Sequence, residues 1–455
     1  MLEDCTHGVN AFGAETRAQW CESANTGRDK PTLRETPGMT RFALRAEQIF
    51  DGERVLDENV VLVDGGKVVG VGRQVPSDWA VREVPGGTIL PGLIDAHVHL
   101  TADGGAGALD RLGVSPAEAA TTEYADAIGA TIEQSLRIHL AAGVTTVRDL
   151  GDPHDAVLRW RSAATSGPNA PTAVGSGAGS GLPSVVASGA PLTSVRGHCW
   201  AFGGEVSGPD EMRAAVHLRA DRGADVIKIM ASGGVLTPGT DTMSPQFTLE
   251  ELKAAVDAAH EHGLPITAHA HALTAVRQAL QAGVDGIEHC TCLTPAGAVV
   301  DDELGRALAA SGIAICGTLG SDRSIDVPPA VLELVAKAGI GEAILQEAVR
   351  RLYAAGVRLV AGSDGGIGPA KPHGLLPATL AEYVEAGIPP VAALTAGTST
   401  AADALRVRKG RIRPGADADL LVVPGNPTED ITTLATPTAV YLAGEDVTPG
   451  ASVAR

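Results

Sequence analysis

Aromatic residues, cysteines, long apolar runs and positive charge are all in short supply, and each shortage narrows what the chain can be. Five Phe, four Tyr and four Trp are 3% of 455 residues, so aliphatic side chains must fill the core. No stretch of about 18 or more apolar residues occurs, and no basic segment followed by an apolar run opens the sequence, so neither a membrane span nor a secretory signal is readable. A cytoplasmic protein with no membrane partner is expected. Lys and Arg number 35 against 54 Asp and Glu, a formal charge of -19. Such a surface repels phosphate backbones, and nucleic acid is not an expected partner. The six cysteines, Cys5, Cys21, Cys199, Cys290, Cys292 and Cys316, show neither CxxC spacing nor the density of a disulfide framework, so reduced thiols are expected. Cys290 and Cys292, just after His289, read as small buried side chains rather than ligands.

What is present is a 44% hydrophobic and 20% charged composition that can bury a large core, over a length that suits one large barrel with a small accessory domain. Residues 1–38 mix Cys, Asn, Thr, Gly and charges without period, and Met39 then opens a strand-like segment; a disordered or non-native extension is expected there. From Phe42 to Gly87, short alternating runs are separated by the turn signals FDGE, VDGGK and VPGG, the pattern of a small antiparallel β unit. GRIRPGADADLLVVPGNP and AVYLAGEDV repeat that pattern near the other end.

Between these ends one phrase recurs six times, a helical alanine-rich stretch stopped by a glycine and followed at once by an apolar run. The instances are AAGVTTV from Ala141, RGADVIKI from Arg222, EHGLPITA from Glu261, QAGVDGIE from Gln281, ASGIAIC from Ala310 and AAGVRLVA from Ala354. Glycine suits the left-handed residue that ends a helix, and the apolar run suits a parallel strand buried on both faces. Thr248 and Glu251 form a capping box before ELKAAVDAAHEHG. With TILPGLIDAHV and the PTAVGSGAG region the strand count reaches about eight. An α/β fold is therefore predicted, a (β/α)8 TIM barrel over 93–404, with a small β-sandwich domain formed from both ends of the chain, 39–92 with 405–450. No GxGxxG loop supports an open nucleotide-binding sheet.

In such a barrel the active residues sit at the C-terminal ends of the strands, so what each apolar run ends on is informative. The first ends Asp95-Ala96-His97-Val98-His99, where alternation points both imidazoles one way. DVIKIMASGG carries Lys228 in an apolar strand, where an unpaired ammonium is costly. ITAHAH ends on His269 and His271, GIEHC on His289 and LVAGSDGG on Asp364. Singly, these residues have ordinary explanations, a salt bridge for Lys228 or a hydrogen-bonded core imidazole for His289; together they point to a metal site.

LPGLIDAHVHL, GVTTVRDLG, IKIMASGGVL, ITAHAH, GIEHC, AGSDGG and GRIRPGADADLLVV together resemble the metal-dependent amidohydrolase superfamily over roughly residues 41–450, nearest its imidazolonepropionase-related branch with Xaa-Pro dipeptidases and ochratoxin-hydrolysing amidases. The resemblance implies two divalent ions, with zinc the expected metal. His97, His99 and Asp364 would hold the more buried ion and His269 and His289 the other. Lys228, as N6-carboxylysine formed with carbon dioxide, would bridge them. His271, followed by Ala272 where relatives usually carry glycine, could exchange roles with His269, and is otherwise a substrate contact. His198 in RGHCWAFGGE resembles a family histidine near a substrate carboxylate or carbonyl oxygen. The implied function is cleavage of an amide (C–N) bond in a dipeptide or N-acyl amino acid by metal-activated hydroxide, with Asp364 as general base and then acid. Hydrolysis of a cyclic amide, or deamination of a heterocycle, is the alternative within the superfamily; a metal-binding assembly protein without activity is the non-enzymatic one. A homo-oligomer acting on a small-molecule amide is expected.

Overall fold

The structure, a computed structural model, describes residues 41–102, 124–165, 181–235 and 237–448. The expected extension at 1–38 and the PTAVGSGAG region lie outside the described residues. Fifteen of the eighteen strands among the described residues organise the rest. Four come first: β1 (Arg41–Ile49), β2 (Val60–Asp64), β3 (Lys67–Gly72) and β4 (Ala80–Pro91). Eight follow: β5 (Leu93–Val98), β6 (Val144–Asp149), β7 (Ser184–Ala187), β8 (Ile227–Met230), β9 (Ile266–Ala272), β10 (Gly286–Thr294), β11 (Ala314–Cys316) and β12 (Arg358–Val360). The last three are β13 (Leu420–Pro424), β14 (Ala439–Leu442) and β15 (Glu445–Asp446).

The two ends of the chain pair directly. They make one sheet in the order β15-β14-β13-β4-β1-β2-β3, in which β4 runs parallel to β1 and antiparallel to β13, with Ile89 opposite Val422. Alternation gives β13 two jobs. Leu420 and Val422 join Phe42, Leu44, Val61 and Ile89 in the sheet's own core, while Leu421 and Val423 pack into the large central core.

The eight middle strands are parallel and form two arcs, β5-β6-β7 and β8-β9-β10-β11-β12. Backbone hydrogen bonds join the arcs at both seams. At one, Asp225 N donates to Ala187 O (2.9 Å) and Leu192 N to Lys228 O (2.8 Å); at the other, Ala96 N donates to Ala361 O (3.0 Å) and Asp364 N to His97 O (2.8 Å). This is a TIM-barrel-type α/β arrangement, and the intervening helices cover its outer face.

All six phrase glycines, Gly143, Gly223, Gly263, Gly283, Gly312 and Gly356, have φ between 70° and 85°, the left-handed geometry that stops a helix and turns it into a strand. The capping box is also formed: Glu251 N donates to Thr248 Oγ1 (3.3 Å) and Thr248 N to the Glu251 carboxylate (2.8 Å). Gly92, between β4 and β5, answers a different need, because a Cβ there would lie 2.2 Å from Thr145 Oγ1. Among the described residues no helix is long and apolar enough to cross a membrane.

Candidate metal centre

The strand ends deliver the sequence-predicted residues to one place. Nε2 of His97 and Nε2 of His99 lie 3.4 and 3.2 Å from the same oxygen of Asp364. His97, His99 and Asp364 thus offer three ligand atoms within 4.8 Å of one another, and His269, His271 and His289 form a second such group. The groups adjoin, with the rings of His97 and His289 5.4 Å apart. Lys228 is buried, and its Nζ has no hydrogen-bond partner among the described residues. His198 is buried beside the second group, its ring 4.7 Å from that of His269.

Four of the five candidate ligand imidazoles are held through Nδ1. His97 Nδ1 is 2.8 Å from Glu288 Oε2 and His99 Nδ1 is 2.9 Å from Gly151 O. His289 Nδ1 is 2.7 Å from Thr318 Oγ1 and His271 Nδ1 is 2.9 Å from Thr291 Oγ1. His269 differs, since its Nε2 lies 3.2 Å from the Gly233 carbonyl. Such anchoring fixes tautomer and ring direction, which a metal ligand requires.

Electrostatics keep most of the set in ligand form; at His99, burial is outweighed by the hydrogen bond and charge of Asp364, which raise its pKa above the usual value. Burial, then the Lys228 charge, pushes His97 down to about 4, so its ring is neutral near pH 7. Burial, then His198, takes His271 to about 3, and burial with Lys228 takes His198 to about 4. Burial would raise Asp364, but the neighbouring His97 and His99 imidazoles, with the His99 hydrogen bond, outweigh it and hold the carboxyl below its usual range. Lys228 is lowered by burial, against the pull of Glu288 and Asp364.

Glu288 is the residue that the sequence reading passed over. Beyond His97 it accepts from Arg148 Nη2 (2.9 Å) and Thr267 Oγ1 (2.6 Å), all buried. Strand alternation would put Glu288 and His289 on opposite faces, yet both reach the interior. His289 has φ 67° and Cys290 φ 49°, so the chain leaves regular β geometry between them. Asp364, at φ 58°, does the same on the other side. Non-glycine residues held at positive φ are strained and concentrate where function fixes a side chain. A charge inside an apolar run was the usable signal, present in GIEHC and VTTVRD as it was in DVIKI.

A buried carboxylate that orients a candidate ligand imidazole and neutralises an arginine predicts two separable losses in Glu288→Gln. Divalent-metal affinity should fall by about 10–100-fold. Stability without metal should fall by about 3–5 kcal/mol, because Arg148 is left as an uncompensated buried charge. Burial raises the Glu288 pKa, but Arg148 and His97 together depress it below its ordinary 4.5. Its stabilisation is therefore complete above that value and lost as pH falls through and below it, and Glu288→Gln should remove that part of the acid sensitivity. Urea melts of both proteins at pH 3 and 7 check the sign.

A TIM-type scaffold with histidine, carboxylate and lysine side chains converging at its strand ends is an arrangement that could hold divalent metal ions. The chain belongs to the amidohydrolase family, whose sequence model matches residues 88–447, and it is a hydrolase acting on carbon–nitrogen bonds. Ochratoxinase of Aspergillus niger is 28% identical over 437 residues, covering 87% of this chain and 82% of that protein. Imidazolonepropionase of Deinococcus radiodurans is 27% identical over 416 residues, covering 86% and 92%. A Xaa-Pro dipeptidase solved with methionine bound in its active site superposes with a TM-score of 0.72 at 28% identity, covering 89% of this chain and 99% of that one.

Proposed function

We propose that the protein hydrolyses the amide bond of a dipeptide or N-acyl amino acid with two divalent metal ions, zinc foremost, in a closed (β/α)8 barrel. Of the three three-ligand groups among the described residues, the third being His97, Glu288 and Cys316, the two that carry the metal part are His97, His99 and Asp364 and His269, His271 and His289, beside a buried lysine whose Nζ has no hydrogen-bond partner among those residues. A buried ammonium without a partner is costly, and a neutral amine there can add carbon dioxide, losing one proton, to become a carbamate whose single negative charge is shared by two oxygens. The donor set therefore fits: His97, His99 and Asp364 for one ion, His289 and His269 for the other, the Lys228 carbamate shared. Bound ions would polarise the scissile carbonyl and lower the pKa of the attacking water.

This chain's own residues do the rest. Asp364 takes the proton of the attacking water and returns it to the leaving nitrogen. Glu288 and the Gly151 carbonyl keep His97 and His99 aimed at Asp364. His271 and His198 face the substrate. Metal counts for His269→Ala and His271→Ala test the division between those two, and loss of an ion only in His271→Ala exchanges their roles.

The likeness to the Xaa-Pro dipeptidase supports the dipeptide reading, and the likeness to imidazolonepropionase supports the alternative of a cyclic amide or heterocyclic substrate. One experiment addresses both: elemental analysis of the purified protein together with a hydrolysis screen over Xaa-Pro dipeptides, N-acyl amino acids and cyclic amides. Up to two equivalents of divalent metal and chelator-sensitive turnover of a linear amide are expected. Full activity of a metal-free sample in chelator would end the metal reading, and turnover of ring substrates alone would favour the alternative.

A further inference from the structure

Lys371 follows β12 in the segment GIGPAKPHG and is assigned no role by the ligand set. A tight turn brings it back over the strand end, with Gly366 N donating to Lys371 O (2.7 Å) and Lys371 N to Gly368 O (2.9 Å). Its Nζ donates to two backbone carbonyls, Thr318 O at 2.8 Å and Ser363 O at 3.0 Å. Among the described residues, no backbone N–H is hydrogen-bonded to either carbonyl. Both belong to the places where regular strand geometry breaks. Thr318, at φ 45°, carries the hydroxyl that lies 2.7 Å from His289 Nδ1. Ser363 immediately precedes Asp364, at φ 58°, and its N–H and hydroxyl donate to Asp95 (2.9 and 2.6 Å), whose Oδ1 accepts from His97 N (3.3 Å).

We propose that Lys371 is a positioning residue, an ammonium clamp that ties the ends of β11 and β12 together and so fixes His289 of one ligand group against Asp364 of the other. The clamp rests on the assignment of His289 and Asp364 as ligands. It acts through backbone carbonyls, and two of the three ammonium hydrogens are already committed to them, which leaves the substrate role to other groups.

Cobalt(II) reports this directly, because its visible bands follow ligand geometry without any substrate. Wild-type, Lys371→Met and Lys371→Arg proteins are stripped of metal and titrated with cobalt, with circular dichroism as the fold control. In folded Lys371→Met, cobalt affinity should fall by about 10–100-fold, as for loss of other groups that orient ligands, with changed band intensity, and Lys371→Arg should recover most of both because it restores the donors. A folded Lys371→Met with wild-type bands and affinity overturns the clamp, whether or not KM for a substrate rises. Should Lys371→Met not fold, Lys371→Arg decides: wild-type bands support the clamp, and altered bands in a folded protein overturn it. Wild-type protein that binds no cobalt would instead sink the ligand assignment itself.

Discussion

Asp364→Asn should give a folded protein whose turnover is lower by about 10²–10⁴-fold, the usual worth of a positioned general acid–base group. The side chain keeps its size, and its backbone N–H still donates to His97 O (2.8 Å), so the seam between β12 and β5 survives. What disappears is the negative charge that lies 3.4 Å from His97 Nε2 and 3.2 Å from His99 Nε2. An amide can neither accept the proton of the attacking water nor match a carboxylate as a ligand, so metal content should fall together with rate. Circular dichroism, elemental analysis and steady-state kinetics on one preparation check all three. A folded variant with full metal and more than a tenth of wild-type turnover would remove Asp364 from the proton transfer.

The legible part of this molecule is the part that obeys simple periodicity. The six glycine-stopped helices could be read because a left-handed residue stands at each of those six helix ends, and only glycine takes that conformation without strain. His97 and His99 could be read because alternation along β5 holds up to the strand end. Glu288 could not be placed by the same rule, since His289 and Cys290 abandon β geometry just after it and let neighbouring residues face one way. Strand β7 was hidden for another reason: Ser184–Ala187 is four residues long, too short for alternation to register, and the expectation rested instead on the preceding PTAVGSGAG. The choice between His269 and His271 stays beyond pattern altogether. They are two apart on β9, share a face, and both lie in the second ligand group.

Lys228→Ala should lose at least one metal equivalent and nearly all activity while the metal-free protein keeps its stability. The two halves of that expectation separate a bridging carbamate from an ordinary buried ion pair. Were Lys228 a structural cation, removing it would strand its partner and cost about 3–5 kcal/mol. Yet Nζ has no hydrogen-bond partner among the described residues, and the carboxylate it would pair with, Glu288, already serves His97, Arg148 and Thr267. Deleting an unpartnered buried amine removes a desolvation cost, which offsets the cavity left by the side-chain stem, so urea melts of the two metal-free proteins should nearly coincide. With metal the balance reverses. Two bound cations would repel, and without a shared anion the histidines and Asp364 would not hold both. Small carboxylic acids such as acetate or propionate present the same pair of oxygens and fit the vacated volume, so they should restore part of the metal content and of the rate in Lys228→Ala and do nothing for the wild type. A Lys228→Ala protein that unfolds at much lower urea without metal, or that binds two ions and turns over normally, would return the lysine to a structural role.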